Sequence, residues 1–296
     1  MAEATLQGVA QVPLRHESLL ALTWRRFRRH RPALLGLIIL LSFLVLTLAA
    51  PWITPYDPTA QRLTQALIPP SAEHPLGTDH LGRDILARIL YGTRYSMVIS
   101  ILAVAIGLVV GVPLGAISGY YGGWVDMVIQ RIADTLLSFP SILLALSMVA
   151  VLGVGLQNVI ISVGVGTIPS FIRLVRGTVL SLREETYVEA ARCIGVSDWQ
   201  IIWRHIMRNA MAPVIVQATL SMGTTLLVAA GLGFLGLGVQ PPTPEWGTML
   251  GEGRQYIFSA PYMATFPGLA IFLTVLGFNL VGDGLRDALD PRLWQR

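Results

Sequence analysis

Residues Tyr187 to Arg208 read YVEAARCIGVSDWQIIWRHIMR. Tyr187, Ala190, Ala191 and Ile194 stand at i, i+3, i+4 and i+7, and Trp199, Ile202, Trp203 and Ile206 repeat that spacing. Each set predicts one apolar stripe along a helix. Gly195 lies between them, where the chain must leave the first helix; a residue without a Cβ enters positive φ at little cost. Ser197 and Gln200 predict a capping box that opens the second helix. The stretch is therefore a helix, a sharp turn and a second helix, carrying polar residues and an apolar stripe together. Such a stripe on a polar loop must pack against something.

The rest of the chain explains the setting. Mean hydropathy is +0.63. Hydrophobic residues make up 53% of the 296 and charged residues only 13%, against roughly 25% in soluble domains. This is the composition of an integral membrane protein. Every basic side chain other than histidine is an arginine, and the chain contains no lysine. Cys193 is the single cysteine, so no internal disulfide can form. The net charge of +4 is scattered over loops rather than gathered on one face, which argues against nucleic acid as a partner.

Working outward gives six spans. Residues 1–32 form a polar cytoplasmic tail with a basic cluster, Arg25, Arg26, Arg28, Arg29 and Arg31. The first transmembrane helix covers 33–51, an uncharged run about one bilayer thick. It is slightly long for a signal-peptide core, and a cleaved signal would leave the later spans unexplained. Pro51 and Trp52 are expected to end it at the interface. Residues 52–96 form an extracytoplasmic loop that feeds a short helix into the bilayer. A core of five helices follows over 97–282, interrupted by the loop 177–212. Within Met97 to Val125, Gly107, Gly111, Gly115 and Gly119 recur every fourth residue. They predict one face on which a neighbouring helix packs closely. Thr135 to Ile172 carries no charge. As one straight helix it would be about 57 Å long, too long for a bilayer core of about 30 Å, so it is read as two spans broken at Gly153, Gly155, Gln157 and Asn158. A further span is expected from Pro213 to about Leu232, a loop over Glu245 to Pro261, a last span over Tyr262 to Val281, and a polar cytoplasmic tail over 283–296. The outer segments hold only Arg62, Arg83, Arg88, Arg94 and Arg254; every other arginine falls on an inner segment. That asymmetry places both termini and the 187–208 hairpin in the cytoplasm.

The same residues exclude several activities. The spans hold almost no ionisable groups, which disfavours a proton-coupled carrier. Without lysine there is no GxxxxGK[ST] phosphate loop, so an ATP site of that kind must lie on another chain. Neither H-E-x-x-H nor G-x-S-x-G occurs. Gly231-x-Gly233-x-x-Gly236 matches the dinucleotide fingerprint formally, but it follows a span rather than a strand. His74, Asp79, His80 and Asp84 are metal-capable side chains without a metal-site spacing. Cys193 has no base beside it in sequence, and His205 reads as an interface residue on the second hairpin helix. Small side chains such as Ser162, Thr167, Thr219, Ser221, Thr224 and Thr225 would suit the lining of a pathway. The residues therefore describe a pore or carrier subunit powered by another chain. A self-sufficient secondary carrier is the rival reading, a channel or membrane scaffold the third, and an enzyme the least supported.

The hairpin, with Glu189-Ala190-Ala191 and then Gly195, resembles the EAA loop of ABC-importer permeases. GTDHLGRD (77–84), SGYYGGWVD (118–126), FLGLGVQPPTPEWGTML (234–250) and FPGLAIFLTVLGFNLVGDGLRDALDP (266–291) are similar to the C-type permeases of dipeptide and oligopeptide importers. The likeness covers about residues 20 to 292. The general loop pattern has a proline after its second helix; Arg208 stands there in this chain and Pro213 comes later.

The resemblance implies an all-α, type I importer permease with six transmembrane helices and a cytoplasmic coupling loop, not itself an enzyme. It implies a second homologous permease, two ABC ATPase subunits that carry the ATP and magnesium, an extracytoplasmic substrate-binding protein, and no cofactor or metal on this chain. It assigns ATPase coupling to the loop that contains Tyr187, Glu189, Ala190, Ala191, Gly195, Ser197, Asp198, Trp199, Ile202, Trp203 and His205. Glu189 would anchor or cap the loop, the two alanines would permit close approach, and Gly195 would make the bend. Trp199, Ile202 and Trp203 would pack on the permease body or on the ATPase. The same permease type also serves glutathione, nickel complexes and some sugars, so the substrate stays open.

Overall fold

A computed structural model describes residues 19–289. The start of the expected N-terminal tail and residues 290–296 of the expected C-terminal tail lie outside the described residues. The elements run α1 (Leu19–Phe27), α2 (Arg31–Ile53), α3 (Ile85–Ile106), α4 (Val112–Tyr121), α5 (Gly123–Leu137), α6 (Ser141–Leu152), α7 (Leu156–Leu182), α8 (Thr186–Cys193), α9 (Asp198–Gln200), α10 (Met207–Phe234), α11 (Trp246–Gly253) and α12 (Tyr262–Leu289), with no strand among the described residues. The wide π turn Gly107–Gly111 joins α3 to α4, and a second one, Ile201–Ile206, joins α9 to α10.

Among the described residues, five helical segments are long and apolar enough to cross a membrane: Arg31–Ile53, Ile85–Tyr121, Leu156–Leu182, Asp198–Phe234 and Tyr262–Leu289. A sixth exists only if α5 and α6, bent by 89°, count as one span. The third span expected from Thr135 corresponds to this bent pair. The bend falls at Ser138–Pro140, where proline lacks an amide proton and its ring excludes the helical conformation of the residue before it. By contrast, α7 starts after the break expected near Gly153 and Gly155, which take φ values of 89° and 135°.

Several ends also differ from expectation. Helix α2 begins at Arg31 because His30 caps it, its Nδ1 accepting from the Ala33 amide at 3.1 Å. It continues through Pro51 to Ile53. The second span starts at Ile85 rather than Met97, because Arg88 is enclosed beside carboxylates that balance its charge. The fifth span begins at Asp198, not at Pro213, so the hairpin's second helix and the span are one continuous rod. The last span runs on to Leu289.

Close approach holds these rods together. The glycine ladder of the second span faces α7. A Cβ would lie 2.7 Å from the Ile168 carbonyl oxygen at Gly111, 2.7 Å from that of Ile172 at Gly115 and 2.8 Å from that of Arg176 at Gly119. At Gly107 it would overlap the Thr167 hydroxyl. Likewise a Cβ at Gly36 of α2 would meet the Gly277 carbonyl of α12 at 2.7 Å. Gly115→Val is therefore expected to cost about 1–3 kcal/mol, the usual overpacking range, lowering the thermal unfolding midpoint of the purified protein. Gly177→Val, with nothing within 4 Å of its Cβ, is the control, and equal effects would contradict the close-packing argument.

Candidate functional site: the polar hairpin and its anchor

Helix α8 ends in a Schellman motif. The Val196 amide donates to the Ala191 carbonyl at 3.1 Å and the Gly195 amide to that of Arg192 at 3.0 Å, with Gly195 at φ 78°. Ser197 then stands at the N-cap of α9 in extended conformation, but its side chain makes no capping bond. The expected capping box with Gln200 is therefore not formed. Continuity with α10 explains this: the short helix is held by the span it runs into rather than by a cap.

The first predicted stripe is also corrected. Val188 and Ala191 are the buried residues of α8, while Tyr187, Ala190 and Ile194 are exposed. Val188 sits at i−3 from Ala191 and has the better shape for filling the core beneath. In the second half, Ile201, Ile202 and Ile206 are buried and Trp203 packs beside them. Together with Val188, Ala191, Tyr120, Phe171, Val175 and Val179 they form one continuous core. The opposite face keeps Ile194 81% exposed and Trp199 65% exposed. Trp199 is steadied edge-on against Trp203 at 5.4 Å. The carboxylate of Glu189 is exposed, and no hydrogen bond to it occurs among the described residues. His205 is half-buried, its carbonyl accepting from Asn209 at 3.3 Å. Cys193 is exposed and free.

The hairpin is tied to the membrane body through the turn between α4 and α5, residues 118–126. The Tyr120 hydroxyl donates to Asp198 Oδ1 at 2.6 Å, and the Arg192 guanidinium lies over the Tyr120 ring at 5.2 Å. Arg183 donates to the carbonyls of Gly119 at 3.1 Å and Tyr120 at 3.4 Å, meeting the open carbonyls at the end of α4. Arg176 grips Asp126 with two bonds of 2.6 Å, and Ser118 donates to the same carboxylate. The sequence assigns no site role to Tyr120, Asp126, Arg176 or Arg183. The block SGYYGGWVD carried the signal, a cluster of hydrogen-bonding side chains in an apolar setting, but their partners lie far along the chain. Tyr120→Phe removes one charge-assisted bond, a loss of about 1.5–3 kcal/mol when buried and nearer 1 kcal/mol at this half-wet site. The expected result is a roughly fivefold fall in transport at unchanged membrane level, measured by uptake into vesicles.

A second cluster lies at the opposite end of the molecule. The side chains of Arg83 and Arg88 are 0% and 1% exposed. Arg83 donates to Asp79 at 2.5 Å and to Glu252 at 2.8 Å; Arg88 reaches Glu252 at 3.3 Å. His74 pairs with Asp84 at 2.9 Å, and Asp84 caps α3 through the Ala87 amide at 2.7 Å. Asp79, His80 and Glu252 come close enough to hold a metal ion. The two guanidiniums already balance the two carboxylates, so a dication would add uncompensated charge. Glu245 is buried and caps α11, accepting from the Gly247 and Thr248 amides at 2.8 Å and from Ser96 at 3.2 Å. Burial pushes its carboxyl above the usual range, against these bonds.

Of the small residues expected to line a pathway, Ser162, Ser221 and Thr225 are buried. Ser100 donates to the Met222 carbonyl at 2.6 Å and pairs with Thr225 at 3.1 Å, a bond between helices rather than a wetted lining. Thr167 and Thr219 are half-buried, and only Thr224 of the set is exposed.

Comparison with known proteins fits this geometry. Residues 18–70 match the model of the N-terminal TM domain of oligopeptide transport permease C. The dipeptide transport system permease protein DppC of Alkalihalophilus pseudofirmus is 51% identical over 91% of this chain and 89% of its own length. The glutathione transport system permease protein GsiD of Pectobacterium atrosepticum is 48% identical over 91% of this chain and 90% of its own. In fold, the chain is similar to a chain from an inward-facing structure of the MetNI methionine ABC transporter. The TM-score is 0.56 at 21% identity, covering 69% of this chain and 96% of that one. With residues 111–295 matching the family's own model, the chain belongs to the family of inner membrane components of binding-protein-dependent transport systems.

Proposed function

We propose that this chain pairs with a second, homologous permease to form the pathway for dipeptides and oligopeptides across the inner membrane, each permease docked on an ATPase. The chain is the permease subunit of an ABC importer and performs no catalysis. In this reading both termini and the hairpin face the cytoplasm, and a binding protein delivers substrate to the outer face. ATP and magnesium are held by the ATPases, and no cofactor is held here.

One observation carries the coupling role. The hairpin has two apolar faces, and only one is used internally: Val188, Ala191, Ile202 and Ile206 are buried, whereas Ile194 and Trp199 project outward. An exposed aromatic beside an exposed aliphatic side chain is the kind of anchor that fills a partner's pocket. Because Trp199 sits on the same rod as α10, a push on the tip moves a span. Asp198 and Arg192 pass that push to Tyr120 and so to α4 as well.

Peptide substrates are favoured over glutathione by the match to the permease C model and to the dipeptide permease. Glutathione is the second reading, supported by relatives of nearly equal identity. It shares the amide and terminal charges of a peptide. The test uses the assembled transporter in proteoliposomes with its binding protein. Ile194→Glu with Trp199→Glu should abolish co-purification of the ATPases and ATP-driven dipeptide uptake, while the permease still reaches the membrane. Retained ATPase binding would overturn the coupling assignment, and uptake of glutathione but not of dipeptides would overturn the substrate.

A further inference from the structure

Helix α12 turns one row of side chains outward: Leu269, Phe272, Leu276, Asn279 and Asp283, spaced three and four apart. Leu269, Phe272, Asn279 and Asp283 are exposed and Leu276 is half-buried. Toward Leu289 the row therefore changes from apolar to amide to carboxylate. The depth of Asn279 follows from helix length. Every stretch of about 20 residues, the length that crosses the hydrocarbon core, contains residues 270–281 if it fits within Tyr262–Leu289. Asn279 thus lies at core depth however the helix is placed. It makes no hydrogen bond among the described residues, and Asp283 pairs with no cation among them. Helix α10 continues the face. Asn279 Oδ1 lies 3.4 Å from where a Cβ of Gly223 would stand, and the next residue, Thr224, is exposed. The Thr224 hydroxyl donates to the Ser221 carbonyl at 3.0 Å, and its oxygen can still accept. The same count applied between Arg208 and Phe234 puts residues 215–228, and so Thr224, at core depth.

We infer that this seam between α10 and α12, from Thr224 and Asn279 down to Asp283, is a wall of the water-filled passage that the peptide takes. A primary amide carries two N–H donors and an accepting oxygen. Hydrocarbon would leave all of them bare, a cost that keeps polar side chains at this depth turned to a bundle interior or to water. A helix of the second permease is the competing cover, since an amide can also bond across a helix interface. The gradient along the row favours water. A covering helix would have to match Leu269 and Phe272, then pair the amide, then bring a cation to Asp283. A passage that widens toward the cytoplasm meets the same sequence of groups without a matched partner. Its polar wall also suits the cargo: Asn279 can pair with the N–H and C=O of a peptide group in turn, and Asp283 offers a counter-charge to a terminal ammonium.

This assignment rests on the transport reading and deepens it by naming the surface that meets the substrate. The test introduces single cysteines in a Cys193→Ser background, which leaves each new thiol the only one on this chain. Asn279→Cys and Thr224→Cys are compared with Leu41→Cys and Leu44→Cys, exposed positions in the apolar run of α2. The assembled transporter, in proteoliposomes with reagent on both sides, is treated with a cationic methanethiosulfonate, and the mass of this chain is followed. The thiolate is the reacting form and apolar surroundings suppress it, so the seam positions should label about tenfold faster or more than the α2 positions. Labelled Asn279→Cys should then lose dipeptide uptake in proportion to labelling, while labelled Leu41→Cys keeps it. Equal rates at the seam and on α2 would overturn the proposal, whether lipid or a partner helix covers the face. Fast labelling with uptake intact would overturn it too, as the mark of a wet crevice off the route. Labelling rates need no substrate, and uptake by the unlabelled transporter tests the transport reading separately.

Discussion

Arg83→Met is expected to destabilise the protein by about 3–5 kcal/mol, the range for removing one partner of a buried ion pair. The side chain is wholly enclosed, its Nε on Asp79 and its NH2 on Glu252. Without it, two carboxylates share Arg88 alone, and Arg88 reaches Asp79 only at 3.6 Å. Water cannot take over the lost bonds of Asp79, which is only 5% exposed, although it can partly reach Glu252 at 17%. The cost should therefore fall toward the lower end of the range. Arg83→Met with Glu252→Met restores a balance of one carboxylate to one guanidinium and should recover most of the loss. Thermal unfolding of the purified complex, followed by tryptophan fluorescence, reads both variants. Trp246 is buried in the adjoining core and reports on that region. If single and double variants melt together, charge imbalance is not the cause.

Among uncharged replacements of Gly195, valine should give the largest functional loss. At φ 78° an ordinary residue bears about 1–2 kcal/mol of strain, and a β-branched one more. No atom lies within 4 Å of a Cβ there, so the penalty is one of backbone and not of space. The series Asn, Ala, Val should thus worsen in that order, because asparagine tolerates the left-handed region. Coupled transport should drop about tenfold or more for valine, read as peptide uptake per ATP hydrolysed. Gly195→Asp separates two effects: its backbone should behave like that of asparagine, but its charge would sit beside Ile194 and Trp199. A larger loss for aspartate than for asparagine would locate the damage at the docking face. Equal loss across the whole series would remove the backbone argument.

Much of the architecture was legible because lipid imposes long, uncharged, helical runs, and glycine spacing is visible without neighbours. What stayed hidden depended on contacts distant in sequence. Arg88 looks too polar for a span until Asp79 and Glu252 are placed around it. Periodicity shows that α8 has apolar residues on more than one side, but not that Val188, outside the expected stripe, is the one enclosed. Pro213 looks like a helix start because the residues before it are polar enough for a loop. Their buried neighbours, Ile201, Ile202 and Ile206, instead carry the helix through. Ser162, Ser221 and Thr225 read as a wet lining because a small hydroxyl looks the same in sequence whether it meets water or another helix.

The wide turn Ile201–Ile206 has a consequence for how the hairpin finds its partner. Such a turn holds one residue more than an α-helix of equal rise, and each residue of an α-helix swings the chain by about 100°. Trp199 therefore points about a quarter-turn away from where α10, extended regularly, would aim it. Compass heading, not composition, is what the extra residue sets. Deleting a single residue from 201–206 would leave hydropathy, charge and length almost untouched, yet rotate the indole off its bearing while the span behind it stayed in place.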